Sequence, residues 1–326
     1  MHAAGYPATM PIPGFFHGNY RTCGAGGLIV RGQAIESSPK ATAMPLLRIE
    51  SAQWPGVDLY YEDHGSGSPV VLIHGYPLSS QSWERQLPAL LGAGYRVIAY
   101  DRRGFGRSSQ PAAGYHYDAL AADLHQLLGH LQLREFALVG CSMGGGEIAR
   151  FLGRYGSSGV TGAVIIGGIP PCLAKTFDNP DGVDVAVFES IEKAVATDRY
   201  VFFAEFFRSF YNTDLFLGKR VSDRVVQASW NVAAAASSMA TLACVAAWHE
   251  DFRADLASID VPVLVIHGDD DRVVPLAAAG QRTARLVKGA RLHVVKGGPH
   301  GVIWTHAEEV NAELLRFLGK SATTFQ

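Results

Sequence analysis

Six short, mostly apolar runs recur along the chain, at residues 70–73, 96–100, 136–139, 163–166, 261–266 and 292–295. The first five lead into turn residues: His74-Gly75, Asp101, Gly140, Gly167 and His267-Gly268. Strands without polar alternation are buried on both faces, which is the condition of a parallel sheet covered by helices. The segments between them carry helical spacing. Leu120, Leu124, Leu127, Leu128 and Leu131 share one face, as do Ile148, Phe151, Leu152 and Tyr155. Thr305-x-x-Glu308 predicts a capping box for a last helix that carries Val310, Leu314, Leu315 and Leu318 and stops at Gly319. The fold class is therefore α/β, a mostly parallel, doubly wound sheet.

Residues 172–255 interrupt the alternation. They hold no strand pattern and are rich in Ala, Phe and Val. They predict a helical insertion over the carboxyl ends of the strands, where open α/β sheets bind ligands. Phe177, Phe203 and Trp230 are expected to fill its core rather than line a site. Residues 1–43 are rich in Gly, Pro, Ala and Ser with no sustained periodicity, which predicts a poorly ordered extension, with Met44 as an alternative start. Residues 44–326 then form the α/β domain.

The bulk properties exclude several functions. The formal charge is −2, from 28 basic and 30 acidic residues, so there is no basic footprint for nucleic acid or for an anionic membrane. No apolar run approaches the roughly 20 residues of a spanning helix. Pro7, Pro11 and Pro13 break up the N-terminal stretch, which does not read as a signal peptide. The four cysteines form no CxxC pair, so neither a zinc site nor a disulfide framework is expected, and a reducing, cytoplasmic location is. His249-Glu250-Asp251 is rejected as a metal site, because sequence neighbours do not share a helical face. Asp101 through Ser108 lacks the Gly-Lys-Ser/Thr ending of a phosphate loop and reads as a structural turn.

Gly140-Cys141-Ser142-Met143-Gly144 carries the chemistry. It is a G-x-S-x-G motif between a strand and a helical pattern, the setting of a nucleophile elbow. A serine hydroxyl needs a base, and the base an orienting acid, in the chain order Ser, Asp or Glu, His. Of the twelve histidines, His300 alone follows the last strand and precedes the C-terminal helix. His74, His267 and His293 read as packed strand residues. Asp269, Asp270 and Asp271 follow the fifth strand; Asp271 is the choice for the acid, with Asp269 next as a turn-former. Two backbone N–H groups should meet the oxyanion, that of Met143 and that of Tyr76 in the loop after the first of the six runs.

These residues are joined by others. They are His74-Gly75-Tyr76-Pro77-Leu78-Ser79, Trp83-Glu84, Tyr100 through Ser108, Gly140 through Gly146, Ile169-Pro170-Pro171, Asp251-Phe252-Arg253, and Asp255-Leu256. From about residue 46 onward the chain resembles the cofactor-free haloperoxidase and aryl-esterase branch of the α/β-hydrolases. The resemblance implies the α/β-hydrolase fold and hydrolysis of small carboxylic esters through an acyl-enzyme. It also implies perhydrolysis, in which hydrogen peroxide replaces water and releases a peracid that oxidises halide without haem or metal. It supports Asp271, three residues after Gly268. It marks Pro77, after the oxyanion residue, as the feature of a peroxidase-type loop. No cofactor is implied. Cys141 departs from the family, which often has Phe before the nucleophile.

The expected partners are a small ester and hydrogen peroxide, without nucleic acid or membrane; a homo-oligomer is left open. Two further enzyme readings fit the same triad, a lactonase and a carbon–carbon bond hydrolase. Ser142 argues against a haloalkane dehalogenase, which needs an acidic nucleophile. A ligand-binding scaffold without catalysis is the non-enzyme alternative.

Overall fold

The computed structural model describes residues 45–180 and 182–319. The extension expected at residues 1–43 lies outside the described residues. Eight strands form one sheet: β1 (Leu46–Ile49), β2 (Val57–His64), β3 (Pro69–Ile73), β4 (Arg96–Tyr100), β5 (Phe136–Cys141), β6 (Val160–Ile166), β7 (Val263–Gly268) and β8 (Arg291–Val295). Their order across the sheet is β1-β2-β4-β3-β5-β6-β7-β8. The pairs β1–β2 and β2–β4 are antiparallel, and all the others are parallel.

The six apolar runs are the six strands β3 to β8. The two antiparallel strands β1 and β2 are additional to them. Their residues explain why the pattern did not show. β2 reads Val-Asp-Leu-Tyr-Tyr-Glu-Asp-His and is only partly buried, and β1 has four residues. Partly exposed antiparallel strands of this kind lack the continuous apolar run that marks a strand covered on both faces.

The helices are α1 (Leu87–Gly92), α2 (Tyr117–His130), α3 (Met143–Tyr155), α4 (Val185–Tyr211), α5 (Thr213–Phe216), α6 (Asp223–Ala235), α7 (Ser238–Ala247), α8 (Arg253–Ala257), α9 (Gly280–Leu286), α10 (Val302–Thr305) and α11 (Ala307–Phe317). They cover both faces of the sheet. In β3, Val71 and Ile73 enter one buried cluster with Leu120, Leu124 and Ile148, while Val70 and Leu72 enter another with Leu90, Val310 and Leu314. Alternate residues of a strand point to opposite faces, so one short apolar run serves two cores.

Helices α4 to α8 all lie between β6 and β7. α4 is broken at Asp198, whose φ of −156° and ψ of 91° leave the helical range. The Asp198 carboxylate accepts from the N–H groups of Tyr200 and Val201 and so caps the second half. Phe203 is fully buried there, and Trp230 is half-buried with its indole N–H on Tyr200 O. Phe177 contradicts the expectation of a core residue. It is 105 % exposed, at the tip of a turn closed by the backbone pair Thr176 and Asn179.

The expected capping box at Thr305 is also corrected. The turn of helix after His300 has already begun at Val302, so Thr305 ends α10 instead of starting the next helix. Its hydroxyl bonds Gly301 O and His306 Nδ1, and α11 has no side-chain cap.

Close backbone contact fixes the glycines around the G-x-S-x-G turn. A Cβ on Gly140 would lie 2.4 Å from Gly144 O, and one on Gly144 would lie 2.3 Å from Ile73 O. Neither carbonyl can move without shifting its element, α3 for Gly144 and β3 for Ile73. Gly144→Ala is expected to cost about 2–3 kcal/mol by overpacking. Urea unfolding measures it; an unchanged midpoint would show that the strand–helix contact is looser than the geometry says.

Candidate active site

The ends of β3, β5, β6, β7 and β8 meet at one rim of the sheet. Ser142 stands between β5 and α3 with φ 54° and ψ −115°, a conformation costly for any residue with a Cβ. Its N–H donates to Ile166 O at 2.8 Å, and its carbonyl accepts from Gly145 N at 2.9 Å. These bonds hold the strained turn. The serine is buried, and a Cβ on Gly75 would come within 3.0 Å of its own Cβ. The loop after β3 therefore lies directly against it.

His300 follows β8 and is buried. Its Nδ1 lies 2.7 Å from Asp271 Oδ2. A carboxylate only accepts, so Nδ1 carries a proton, and in the neutral ring the lone pair is on Nε2. Nε2 is buried and has no hydrogen-bond partner among the described residues. Phe210 packs edge-on against the ring, with centroids 5.1 Å apart. Asp271 follows β7, and its other oxygen accepts from Val273 N at 2.9 Å and Val274 N at 2.8 Å. Burial alone would raise its pKa. The charge of His300 and hydrogen bonds from His267 and His300 outweigh burial and hold the carboxyl well below the usual range.

Gly167, directly after β6, borders both groups: a Cβ there would lie in ordinary contact, 3.5 Å from His300 Nδ1 and 3.6 Å from Asp271 Oδ2. His300 and Asp271 are in direct contact. Ser142 shares their rim, but its hydroxyl forms no hydrogen bond with His300 Nε2. Asp269 takes the N–H of Gly297 instead of reaching His300. Asp270, expected as a solvated loop charge, binds Asn212 Nδ2 and Arg272.

Tyr76 and Met143 flank Ser142 from two elements. Met143 opens α3, and Tyr76 lies in the loop after β3. Neither backbone N–H has an acceptor among the described residues. The Tyr76 ring is locked by Trp248, Phe203, Phe206 and Phe105, and its hydroxyl donates to Thr241 O at 3.0 Å. The peptide between Tyr76 and Pro77 is cis. Ser142 and Tyr76 open on a cavity of about 310 Å³ with Ile169, Phe188, Phe206 and Trp248 in its mainly apolar wall. Glu205 and Arg272 are the charged residues in that wall.

Two residues of this rim were read from sequence only as packed histidines. His267 is fully buried, with Nε2 2.8 Å from Val274 O and 3.3 Å from Asp271 Oδ2. His74 is fully buried behind the oxyanion loop. The available signal was their position, since each ends a strand at the rim where the motifs converge. No group of three or more His, Cys, Asp or Glu placed to hold a metal occurs among the described residues.

The arrangement matches known proteins along most of its length. A family profile described as the alpha/beta hydrolase fold matches residues 68–307. The non-heme chloroperoxidase CPO-A1 of Kitasatospora aureofaciens is 42% identical over 81% of this chain and 97% of its own. A bifunctional esterase/perhydrolase of Acinetobacter calcoaceticus is 38% identical over 81% of this chain and 96% of its own. Among solved structures, a bromoperoxidase from Bacillus anthracis superposes with a TM-score of 0.80 at 46% identity, covering 84% of this chain and 99% of that one. An eight-stranded sheet with a strained serine elbow and a buried His–Asp pair at its rim, together with these relatives, places the chain in the α/β-hydrolase family, within its non-haem haloperoxidase branch.

Proposed function

We propose that the chain hydrolyses small carboxylic esters through an acyl-enzyme on Ser142, with perhydrolysis as a second outcome. The observation that carries this reading is the buried His300–Asp271 bond, which puts a proton on Nδ1 and makes Nε2, buried and without a partner among the described residues, the basic nitrogen of the neutral ring at the rim that holds Ser142. His300 Nε2 takes the hydroxyl proton as Oγ attacks the ester carbonyl. The carbonyl oxygen becomes an oxyanion held by the N–H groups of Tyr76 and Met143, each contributing roughly 3–4 kcal/mol. The tetrahedral intermediate collapses, His300 gives its proton to the leaving alcohol, and Asp271 stabilises the imidazolium in between. Water, deprotonated by His300, then attacks the acyl carbon and releases the acid. With hydrogen peroxide in place of water, the released product is the peracid, which oxidises halide.

Pro77 supports the second outcome. Its ring fixes φ next to the oxyanion donor and so sets where the neighbouring carbonyl points toward a peroxide. Residues 172–255 act as a cap whose α4 supplies Phe188 and Phe206 to the cavity wall. The three described cysteines are free and buried, which fits a reducing, cytoplasmic setting.

The test uses p-nitrophenyl acetate with and without hydrogen peroxide. Turnover and labelling of Ser142 by a fluorophosphonate are expected, with peracid detected when peroxide is present. A chain that neither turns over nor labels is a binding scaffold. Pro77→Leu is expected to lower the peracid-to-acid ratio by roughly tenfold, a change of about 1.4 kcal/mol in relative barrier. An unchanged ratio removes Pro77 from the account and leaves the esterase intact.

A further inference from the structure

A backbone N–H is not aimed by its own side chain. It is aimed by whatever holds its peptide plane, because the carbonyl of one residue and the N–H of the next are locked in a planar unit. For the Tyr76 N–H, that partner is the carbonyl of Gly75. The Gly75–Tyr76 bond is not among the cis peptides, so its C=O and N–H point in opposite directions.

Two donors hold the Gly75 carbonyl. One is Leu78 N–H, at 3.1 Å. The other is the ring of His74, whose Nδ1 lies 2.8 Å from the same oxygen. The neighbouring contact decides the proton position. His74 Nε2 lies 3.0 Å from the backbone N of Arg102. A backbone N–H only donates, so Nε2 must be the acceptor and Nδ1 must carry the proton. The ring therefore donates to Gly75 O.

Resting on the acyl-transfer reading above, we infer that His74 is a positioning residue: its Nδ1–H pins the Gly75 carbonyl and thereby aims the Tyr76 N–H at the oxyanion beside Ser142. His74 does not touch the substrate; it acts through one peptide plane. The plane has little freedom to answer otherwise, because Gly75 lies against Ser142 and Cys141 O.

The surroundings keep the ring in place. Arg102 donates from Nη2 to His74 O at 2.8 Å and from Nε to Glu147 Oε2 at 2.8 Å. Glu147 belongs to α3, the helix that starts beside Ser142, and its other oxygen takes the hydroxyl of Tyr100. One fully buried cluster thus joins the oxyanion loop, the end of β4 and the nucleophile helix. Burial, and then the charge of Arg102, push the His74 pKa well below its ordinary value, so the ring stays neutral and keeps its acceptor nitrogen.

Two substitutions separate the two ring nitrogens. An asparagine amide sits where Nδ1 is and can still donate to Gly75 O. A glutamine amide reaches the Nε2 position and loses that donation. His74→Gln is expected to lower kcat for p-nitrophenyl acetate roughly 10- to 100-fold, somewhat less than outright loss of an oxyanion donor, with KM within about twofold. His74→Asn is expected to stay within about threefold of the parent kcat. Inhibition by phenylboronic acid, whose tetrahedral adduct places an oxygen at the oxyanion position, should weaken in parallel with kcat in the glutamine variant. Equal loss in both variants, or loss in neither, overturns the inference whatever the melting temperatures show. Should the glutamine variant not fold, histidine-labelled nitrogen NMR of the parent chain decides. A neutral Nδ1–H tautomer for His74 around neutral pH upholds the clamp, and an Nε2–H tautomer or a protonated ring overturns it. Failure of the parent chain to hydrolyse the ester or to label would sink the acyl-transfer reading instead, and the NMR result would stand apart from it.

Discussion

Ser142→Ala is expected to lower kcat for p-nitrophenyl acetate by roughly 10⁵- to 10⁶-fold, to the level of a site that retains only binding and the oxyanion donors. The acyl-enzyme needs an oxygen on this side chain. Among the described residues lining the cavity, the other hydroxyls are that of Tyr76, which is bonded to Thr241 O, and that of Ser209, which belongs to α4 and not to the turn after β5. The His300–Asp271 pair should be undisturbed, so circular dichroism and the melting temperature should barely change. The backbone offers a second readout at the same residue. Ser142 has a positive φ of 54°, which a side chain makes costly and glycine does not. Ser142→Gly is expected to be equally inactive yet more stable by about 1 kcal/mol, strain relief exceeding the extra chain entropy of glycine. Full activity in a pure, folded alanine variant would end the mechanism.

Asp271→Asn is expected to cost roughly 10⁴-fold in kcat, for a reason that lies in the neighbouring backbone. The Oδ1 position receives two N–H donors, from Val273 and Val274. Only an oxygen can sit there, so the asparagine NH₂ must occupy the other position and face His300 Nδ1. That nitrogen must then become the acceptor, and the proton moves to Nε2, where it blocks uptake of the serine proton. The prediction is loss in kcat with little change in KM, measured with the same ester.

The same carboxylate gives a pH dependence. Its folded-state pKa lies well below the ordinary carboxylate value of about 4. Such a group favours the folded state fully above the ordinary value, and the contribution fades as pH falls from there toward the lower folded value. The parent chain should therefore lose melting temperature on acidification below about pH 4, and part of that slope should vanish in Asp271→Asn. Parallel curves for the two proteins would show that Asp271 is not held ionised by its neighbours.

Of the strands that could be read, β3 to β7 are buried on both faces, which removes polar residues and leaves a mostly apolar run, whereas β8 is a largely exposed edge strand that was read from Leu292, Val294 and Val295 alone. β1 and β2 lacked this mark, with Asp58, Glu62 and Asp63 interleaved among apolar residues. Thr305 was misread because a short-range cap pattern says nothing about a turn of helix that has already begun at Val302, with Gly301 as its N-cap. Phe177 was misread because apolarity predicts burial only on average, and a four-residue turn holds its ring in solvent. Ser142, Asp271 and His300, the residues proposed as the triad, each lie within a few residues of the end of a strand, β5, β7 and β8, and parallel strands of one sheet end at one rim.

The order and polarity of residues determined by themselves the parallel part of the sheet and the strand-to-helix turn at Ser142. These depend on local periodicity, on turn chemistry and on chain order, all of which are written one residue after another. Only the tertiary structure showed that Asp271 bonds His300 while Asp269 takes the Gly297 N–H, that the N–H groups of Tyr76 and Met143 have no acceptor among the described residues, and that His74 and His267 are buried at the same rim. Those are contacts between strand ends, set by which strands pair and by which carbonyls and amides are already taken, and pairing across a sheet leaves no trace in the spacing along the chain.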